Sequence, residues 1–267
     1  MNPFAALILQ AHPEPALRIE AWLRFAHEVS LAPGKVSEPG LGEIRLKWWS
    51  DAALEALDTG IDSSGSPRAH PAVMAFHEAV QGAEVRLAPG LVRAFIDAHG
   101  LDLETRPYVD IEALRADATA RWGNQLRVCL QLLSVTDEAH HHAANHVGAG
   151  FGILQVLFSA RIAAARGRQV LPGPEGRELE QMSSDDRARL GGDLCGQAAF
   201  HLDRAVELLP RPQKEALPAL RFALAARALI TAAEAAGADP LAVPAPEQVA
   251  RTFPLRLTWA RLRGRYG

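Results

Sequence analysis

Apolar residues recur every three to four positions along most of this chain, and stretches alternating apolar and β-branched residues with polar ones are scarce. That spacing places hydrophobic side chains on one stripe of an α-helix, so the pattern predicts an all-α protein. Helices are expected near residues 14–31, 40–58, 69–82, 89–99, 109–134, 138–166, 185–208 and 213–236, with a shorter one near 246–262. The breaks fall at Pro33-Gly34, Pro39-Gly40, Gly65-Ser66-Pro67, Pro89-Gly90, Pro172-Gly173-Pro174, Pro210-Arg211-Pro212 and Pro240 to Pro246. Proline and glycine there interrupt the helical hydrogen-bond ladder or favour turns. Ser183-Ser184-Asp185-Asp186 marks a helix start, because short oxygen-bearing side chains accept from the free first-turn amides. The apolar run from Phe4 to Leu9 has no basic residue before it and no small-residue cleavage pattern, so it is expected as a core helix and not a signal peptide. Ser63 to Arg68 reads as a linker, and no repeat of 20–50 residues is evident.

The chain has 267 residues, 48% of them hydrophobic, enough to bury one large core, and a single domain over 1–267 is expected. A net charge of −3 provides no overall electrostatic footprint for nucleic acid, which is excluded as a general partner. Cys129 and Cys195 lie inside apolar runs, which predicts buried thiols in a reducing, cytoplasmic compartment. The longest apolar stretch, Val147 to Ala160, is interrupted by Gln155 and Ser159 and falls short of the roughly 20 residues that span a bilayer, so no transmembrane helix is expected.

The candidate chemistry is concentrated between residues 140 and 168. His142 and His146 have the i, i+4 spacing that can grip zinc, but no carboxylate or cysteine completes the set at a recognisable spacing. At about 100° per residue, His146 lies opposite Gln155 and His142 about 140° away, whereas His141 falls within about 40° of it. His141 is therefore a candidate to face any cavity beside Gln155. Gly148 and Gly152, one turn apart, either admit close helix packing or leave room for a lipid chain. Arg166 and Arg168 flank Gly167 and can fork onto an anion or cap the helix C-terminus. From Arg251 to Gly267 five arginines (251, 256, 261, 263 and 265) and no acid are interleaved with Leu255, Trp259 and Leu262. That tail is either a packed terminal helix or one that lies on an anionic membrane surface.

The segment from Gln155 to Pro172 resembles the second metal-binding helix of the squalene/phytoene synthase family, in which Asn-x-x-x-Asp-x-x-x-Asp precedes Arg-Gly-Arg-x-Tyr-Leu-Pro. Aligned on Arg166-Gly167-Arg168 and Leu171-Pro172, the family's asparagine falls on Gln155 and its aspartates on Ser159 and Ala163. Phe25-Ala-His-Glu28 is similar to the start of the family's first aspartate-rich motif, and this match puts Ser30, Leu31 and Gly34 at the acid positions. Phe95-Ile-Asp97 through Asp102-Leu103 and Gly148 through Leu157 carry further similarity. The stretch from Val36 to Trp49 resembles most a divergent branch containing the mitochondrial complex I assembly factor and its bacterial relatives.

The resemblance implies the helical isoprenoid synthase fold. In catalytic members carboxylates one helical turn apart hold Mg²⁺, which grips a prenyl diphosphate. Here the acid positions hold neutral residues, so the expectation is a catalytically degenerate protein with no cofactor, binding an isoprenoid or other lipid or a protein partner in respiratory-complex assembly. Gln155, Ser159, Gly148, Gly152, His141, Arg166 and Arg168 are its candidate cavity residues. The alternative is an active prenyl-diphosphate transferase whose Mg²⁺ is held by displaced acids among Glu43, Asp97 and Asp102. A third is an interaction module docking through the tail or through Trp48-Trp49.

Overall fold

The computed structural model describes residues 2–36, 38–58, 67–104, 106–173 and 177–267, and among them every regular element is helical. The first five helices are α1 (Pro3–Gln10), α2 (Pro13–Leu31), α3 (Pro39–Leu57), α4 (Pro71–Gln81) and α5 (Pro89–Ala98). Each begins with a proline in its first turn, where the missing N–H has no intrahelical partner to lose and the ring fixes a helical φ. Of the prolines that read as breaks in the sequence, Pro39 and Pro89 therefore act as helix starts. α1 is the expected core helix, with Phe4 and Ile8 buried.

The predicted 109–134 helix is α6 (Ile111–Ala118) and α7 (Asn124–Leu132), joined by one π turn over Thr119–Gly123. α8 (Glu138–Ala164) and α9 (Ser184–Leu208) follow, the latter capped by the Ser183 side chain, which accepts from the Asp186 amide at 3.1 Å. The expected 213–236 helix divides at Arg221 into α10 (Leu217–Leu220) and α11 (Phe222–Ala235). The expected 246–262 helix divides into α12 (Pro246–Ala250) and α13 (Phe253–Leu262), because Pro254 has no N–H to continue the ladder from α12. Of the expected linker, Ser63 to Ser66 lie outside the described residues; Arg68 pairs with Glu55 at 3.0 Å.

α8 is the central element, packed against α6, the π turn, α7, α9 and α11. Its glycines set the spacing. A Cβ on Gly148 would stand 2.3 Å from the Gly123 amide nitrogen, and one on Gly150 would stand 2.9 Å from the Ala198 carbonyl oxygen of α9. Backbone meets backbone at both places, which only a residue without a side chain permits. At the other end of the core Trp22 of α2 donates from Nε1 to the Gln125 carbonyl at 3.0 Å and packs on Phe25, Phe76 and Phe95, with ring centroids 5.2–5.7 Å away. One apolar core runs from Phe4 to Tyr266, and both cysteines are free and buried within it.

Two segments, Glu138–Ala164 and Lys214–Ala235, are long and apolar enough to cross a membrane. The first reaches beyond the Val147 to Ala160 run through flanking Ala139, Ala143, Ala144, Ile162, Ala163 and Ala164, and the second is rich in alanine and leucine. Within the fold 61% and 72% of their most apolar windows are buried against other helices.

Candidate functional site

A cavity of about 530 Å³ lies between α2, α5, the α6–π segment, α8 and the α1 and α12 edge. Leu23, Ala26, His27 and Ser30 line it from one face of α2, and Gly152, Gln155, Val156 and Ser159 from one face of α8. Both sets follow the i, i+3, i+4, i+7 rule for a helix face. Ser30 and Ser159, matched to acid positions on segments 129 residues apart in sequence (159 − 30), thus line the same cavity. Each hydroxyl donates to its own helix: Ser30 to the His27 carbonyl at 2.7 Å and Ser159 to the Val156 carbonyl at 2.9 Å. Leu31 is exposed, Gly34 sits in the 3-10 turn Pro33–Lys35, and Ala163 lies a turn beyond the cavity lining.

Gln155 accepts at Oε1 from the Asn2 side-chain amide at 3.0 Å, and Asn2 also caps α1 by accepting from the Phe4 amide. α1 is thereby fastened across one edge of the cavity. Opposite, a polar network crosses the wall. Arg121, in the π turn, donates from Nη1 to Asp102 at 2.6 Å and from Nε to Asp117 at 2.9 Å. The Tyr108 hydroxyl donates to Asp117 at 2.5 Å, and the His99 ring meets Asp102 through Nδ1 at 2.9 Å.

Burial sets the protonation of this network. It pushes the Tyr108 phenol up, with the Asp117 carboxylate adding to the effect, so Tyr108 stays a donor. Burial also pushes His99 down, against the opposing pull of the Asp102 bond. For Asp102 burial alone would raise the carboxyl, but the His99 hydrogen bond and Arg121 outweigh it and hold it below the usual range. Two carboxylates stand here against one guanidinium, and Arg121 is the only guanidinium lining the cavity among the described residues. The wall is poorly suited to receive a polyanion by itself. Three buried polar atoms of lining residues have no partner: Gln155 Nε2, Arg121 Nη2 and His99 Nε2.

The remaining candidates divide. Gly152 lines the cavity and also packs on Trp122, where a Cβ would stand 2.6 Å from Cδ1; Gly148 packs on Gly123 and does not line it. His141 has the right angular face but the wrong height, since 14 residues at about 1.5 Å each put it roughly 21 Å along α8 from Gln155. Its ring instead meets the Val135 carbonyl at 3.1 Å and Arg127 at 3.3 Å. His142 and His146 point away from the cavity as expected, and His146 Nδ1 meets His201 Nδ1 of α9 at 2.9 Å. Gly167, at φ +68°, ends α8, with the Arg168 amide donating back to the Ala163 carbonyl. Arg166 is exposed, while Arg168 lines a smaller adjoining cavity of about 270 Å³ together with Arg106. Of the displaced acids only Asp102 reaches the main cavity; Glu43 and Asp97 are exposed elsewhere. Among the described residues no three His, Cys, Asp or Glu side chains stand together so as to hold a metal ion.

Tyr108, Asp117 and Arg121 are functional candidates that reasoning from the sequence did not single out. Asp117 and Arg121 have the i, i+4 acid–base spacing of a helical ion pair, which was a legible signal.

The comparisons agree with this architecture. Curated relatives include "NADH dehydrogenase (ubiquinone) complex I, assembly factor 6" of Rattus norvegicus, 26% identical over 203 residues, covering 73% of this chain and 59% of that protein. The Bos taurus protein of the same name is 26% identical over 198 residues, covering 70% and 57%. The chain therefore matches less than two thirds of the length of these relatives. Among solved structures, squalene synthase HpnC from Alicyclobacillus acidocaldarius superposes with a TM-score of 0.73 at 15% identity, covering 89% of each chain. A dehydrosqualene synthase in complex with ligand gives 0.66 at 11%, covering 96% and 95%; these two likenesses show the isoprenoid synthase fold. The squalene/phytoene synthase profile matches residues 2–263, and the chain belongs to that family.

Proposed function

We propose that this protein is a catalytically degenerate member of its family that holds an isoprenoid or similar lipid in the central cavity and serves the assembly of a respiratory complex at a membrane. The observation that carries the first part is the meeting of Ser30 and Ser159 across one cavity, each hydroxyl spent on its own helix. Mg²⁺ takes hard oxygen ligands and is usually bound through carboxylates. Neutral hydroxyls at both positions are a poor match, and the nearby acids Asp102 and Asp117 are engaged by Arg121. The donor set does not fit the metal, so no diphosphate-ionising step is assigned.

The unpartnered polar atoms of Gln155, Arg121 and His99 indicate what suits the site. Gln155 Nε2 and Arg121 Nη2 are buried donors without acceptors, each costing on the order of 1–3 kcal/mol, whereas His99 Nε2 is an acceptor once Nδ1–H donates to Asp102. A ligand whose polar end offers an oxygen acceptor, and a hydroxyl proton for His99, would remove that cost. An apolar chain ending in a hydroxyl or carbonyl fits a cavity with such a wall better than a diphosphate does. The assembly role is supported by the 23–26% identity to the mammalian assembly factors. Calorimetric titration with farnesol and with a non-hydrolysable farnesyl diphosphate analogue, each with and without Mg²⁺, tests the reading. Farnesol is expected to bind independently of metal. Tight binding of the diphosphate that depends on Mg²⁺ would overturn the proposal in favour of a transferase that uses Asp102.

A further inference from the structure

The C-terminal end of the bundle carries an apolar stripe that no described residue covers. On α13, Phe253, Leu257 and Ala260 face inward and are buried, while Leu255, Trp259 and Leu262 are 77%, 54% and 82% exposed. Positions 255, 259 and 262 lie at i, i+4 and i+7, one continuous stripe on the face opposite the buried one. Arg256 and Arg263 flank one side of it and Arg261 the other, and the Arg263 guanidinium lies 3.7 Å over the Trp259 ring. Arg251 and Arg265 extend the charge, and no acid occurs from 251 to 267. The ion pairs of the neighbouring helices use Arg187, Arg189, Arg204 and Arg227 instead.

A second observation concerns the positive charge beneath the helix. Arg221, at the α10–α11 junction, is 2% exposed, and its Nε has no hydrogen-bond partner. Among the described residues its guanidinium hydrogen-bonds the His12 ring alone, 2.5 Å from Nη1. Burial, and then the neighbouring Arg261, push Arg221 down to about 10, with no carboxylate acting to raise it. A buried guanidinium is ordinarily paired with an acid. This end of the molecule therefore concentrates uncompensated positive charge around an exposed leucine and tryptophan stripe.

We propose that α13 docks this protein on an anionic lipid bilayer, with Leu255, Trp259 and Leu262 entering the headgroup boundary and the flanking arginines on lipid phosphates. Charge alone would suit any polyanion; the apolar stripe between the arginines selects a bilayer, where leucine and tryptophan leave water. α13 packs on α1 and α12, whose residues Asn2, Pro3, Pro246 and Glu247 form one edge of the central cavity. Docking therefore brings that edge toward the membrane. The proposal stands whatever fills the cavity.

The test is co-sedimentation of the full chain with extruded vesicles of phosphatidylcholine alone or mixed equally with phosphatidylglycerol, at low and high salt. Binding is expected to the mixed vesicles, to weaken with salt, and to be slight on the neutral ones. Replacing Arg251, Arg256 and Arg263 by glutamine should lower partitioning on the order of a hundredfold, at roughly fivefold per charge. Leu255→Ser with Trp259→Ser should abolish it, while far-ultraviolet circular dichroism stays unchanged because all five side chains are exposed. Wild-type binding by both variants, equal binding to neutral vesicles, or retention by single-stranded RNA without retention by vesicles would overturn the proposal.

Discussion

Replacing Gly148 by alanine isolates the contact that sets the spacing between α8 and the π turn. The new Cβ would stand 2.3 Å from the Gly123 nitrogen, 2.5 Å from its Cα and 2.6 Å from the Trp122 carbonyl carbon. All three are backbone atoms, so no side chain can swing aside, and α8 must move away from the π turn. Forced overpacking of this kind costs about 1–3 kcal/mol and occasionally more, and the rigid partner puts this case at the upper end. Alanine returns about 1 kcal/mol through its better helix propensity. The net loss is about 2 kcal/mol, which lowers the melting temperature by about 4–8 °C at this chain length. Gly196→Ala in α9 is the matched control, because nothing lies within 4 Å of its Cβ position. There the propensity term acts alone, and stability should rise by about 1 kcal/mol. Thermal melts of the two variants should therefore move in opposite directions. A Gly148→Ala protein melting at or above the wild type would refute the close approach of α8 to Gly123.

Other expectations follow from the network and the cavity. Arg121→Gln strands Asp102 and the deeply buried Asp117 without their cation, and should cost on the order of 3–5 kcal/mol in urea unfolding, with part regained in the Arg121→Gln, Asp117→Asn double variant. His146 is pushed down to about 4 by burial and then by His201, and His12 to about 4 by burial and then by Arg221, against an ordinary 6.5. Between about pH 6.5 and 4 the unfolded chain then binds more protons than the folded one, so the melting temperature should fall on acidification through that window. His146→Gln should flatten that slope; an unchanged slope in both His146→Gln and His12→Gln would assign it elsewhere. Ser30→Asp combined with Ser159→Asp returns carboxylates to opposite walls of one cavity, and should create Mg²⁺-dependent binding of the diphosphate analogue with a stability change within about 0.5 kcal/mol, since both side chains are exposed.

What the chain's own pattern determines is local. The 3.6-residue periodicity, the breaks at Pro39 and Pro89 and the Ser183 cap follow from backbone chemistry within a few residues and are legible, as are the family features around Arg166-Gly167-Arg168. Periodicity also oriented His142 and His146 away from Gln155, because the angle along one helix is a property of that helix alone. Where elements meet could not be read in the same way. The angle of His141 along α8 matches the cavity face, yet the helix rise carries it roughly 21 Å from Gln155, and only the packing shows where the cavity stops. Gly148 and Gly152 look alike in sequence and both are close packing contacts, Gly148 against the Gly123 backbone and Gly152 against Trp122 and Ala118, yet only Gly152 also lines the cavity. The meeting of Ser30 with Ser159, and of Asp102 with Asp117 through Arg121, depends on the crossing of helices distant along the chain. Those crossings are decided by side-chain interlock summed over the whole core, a property that no short window of residues contains.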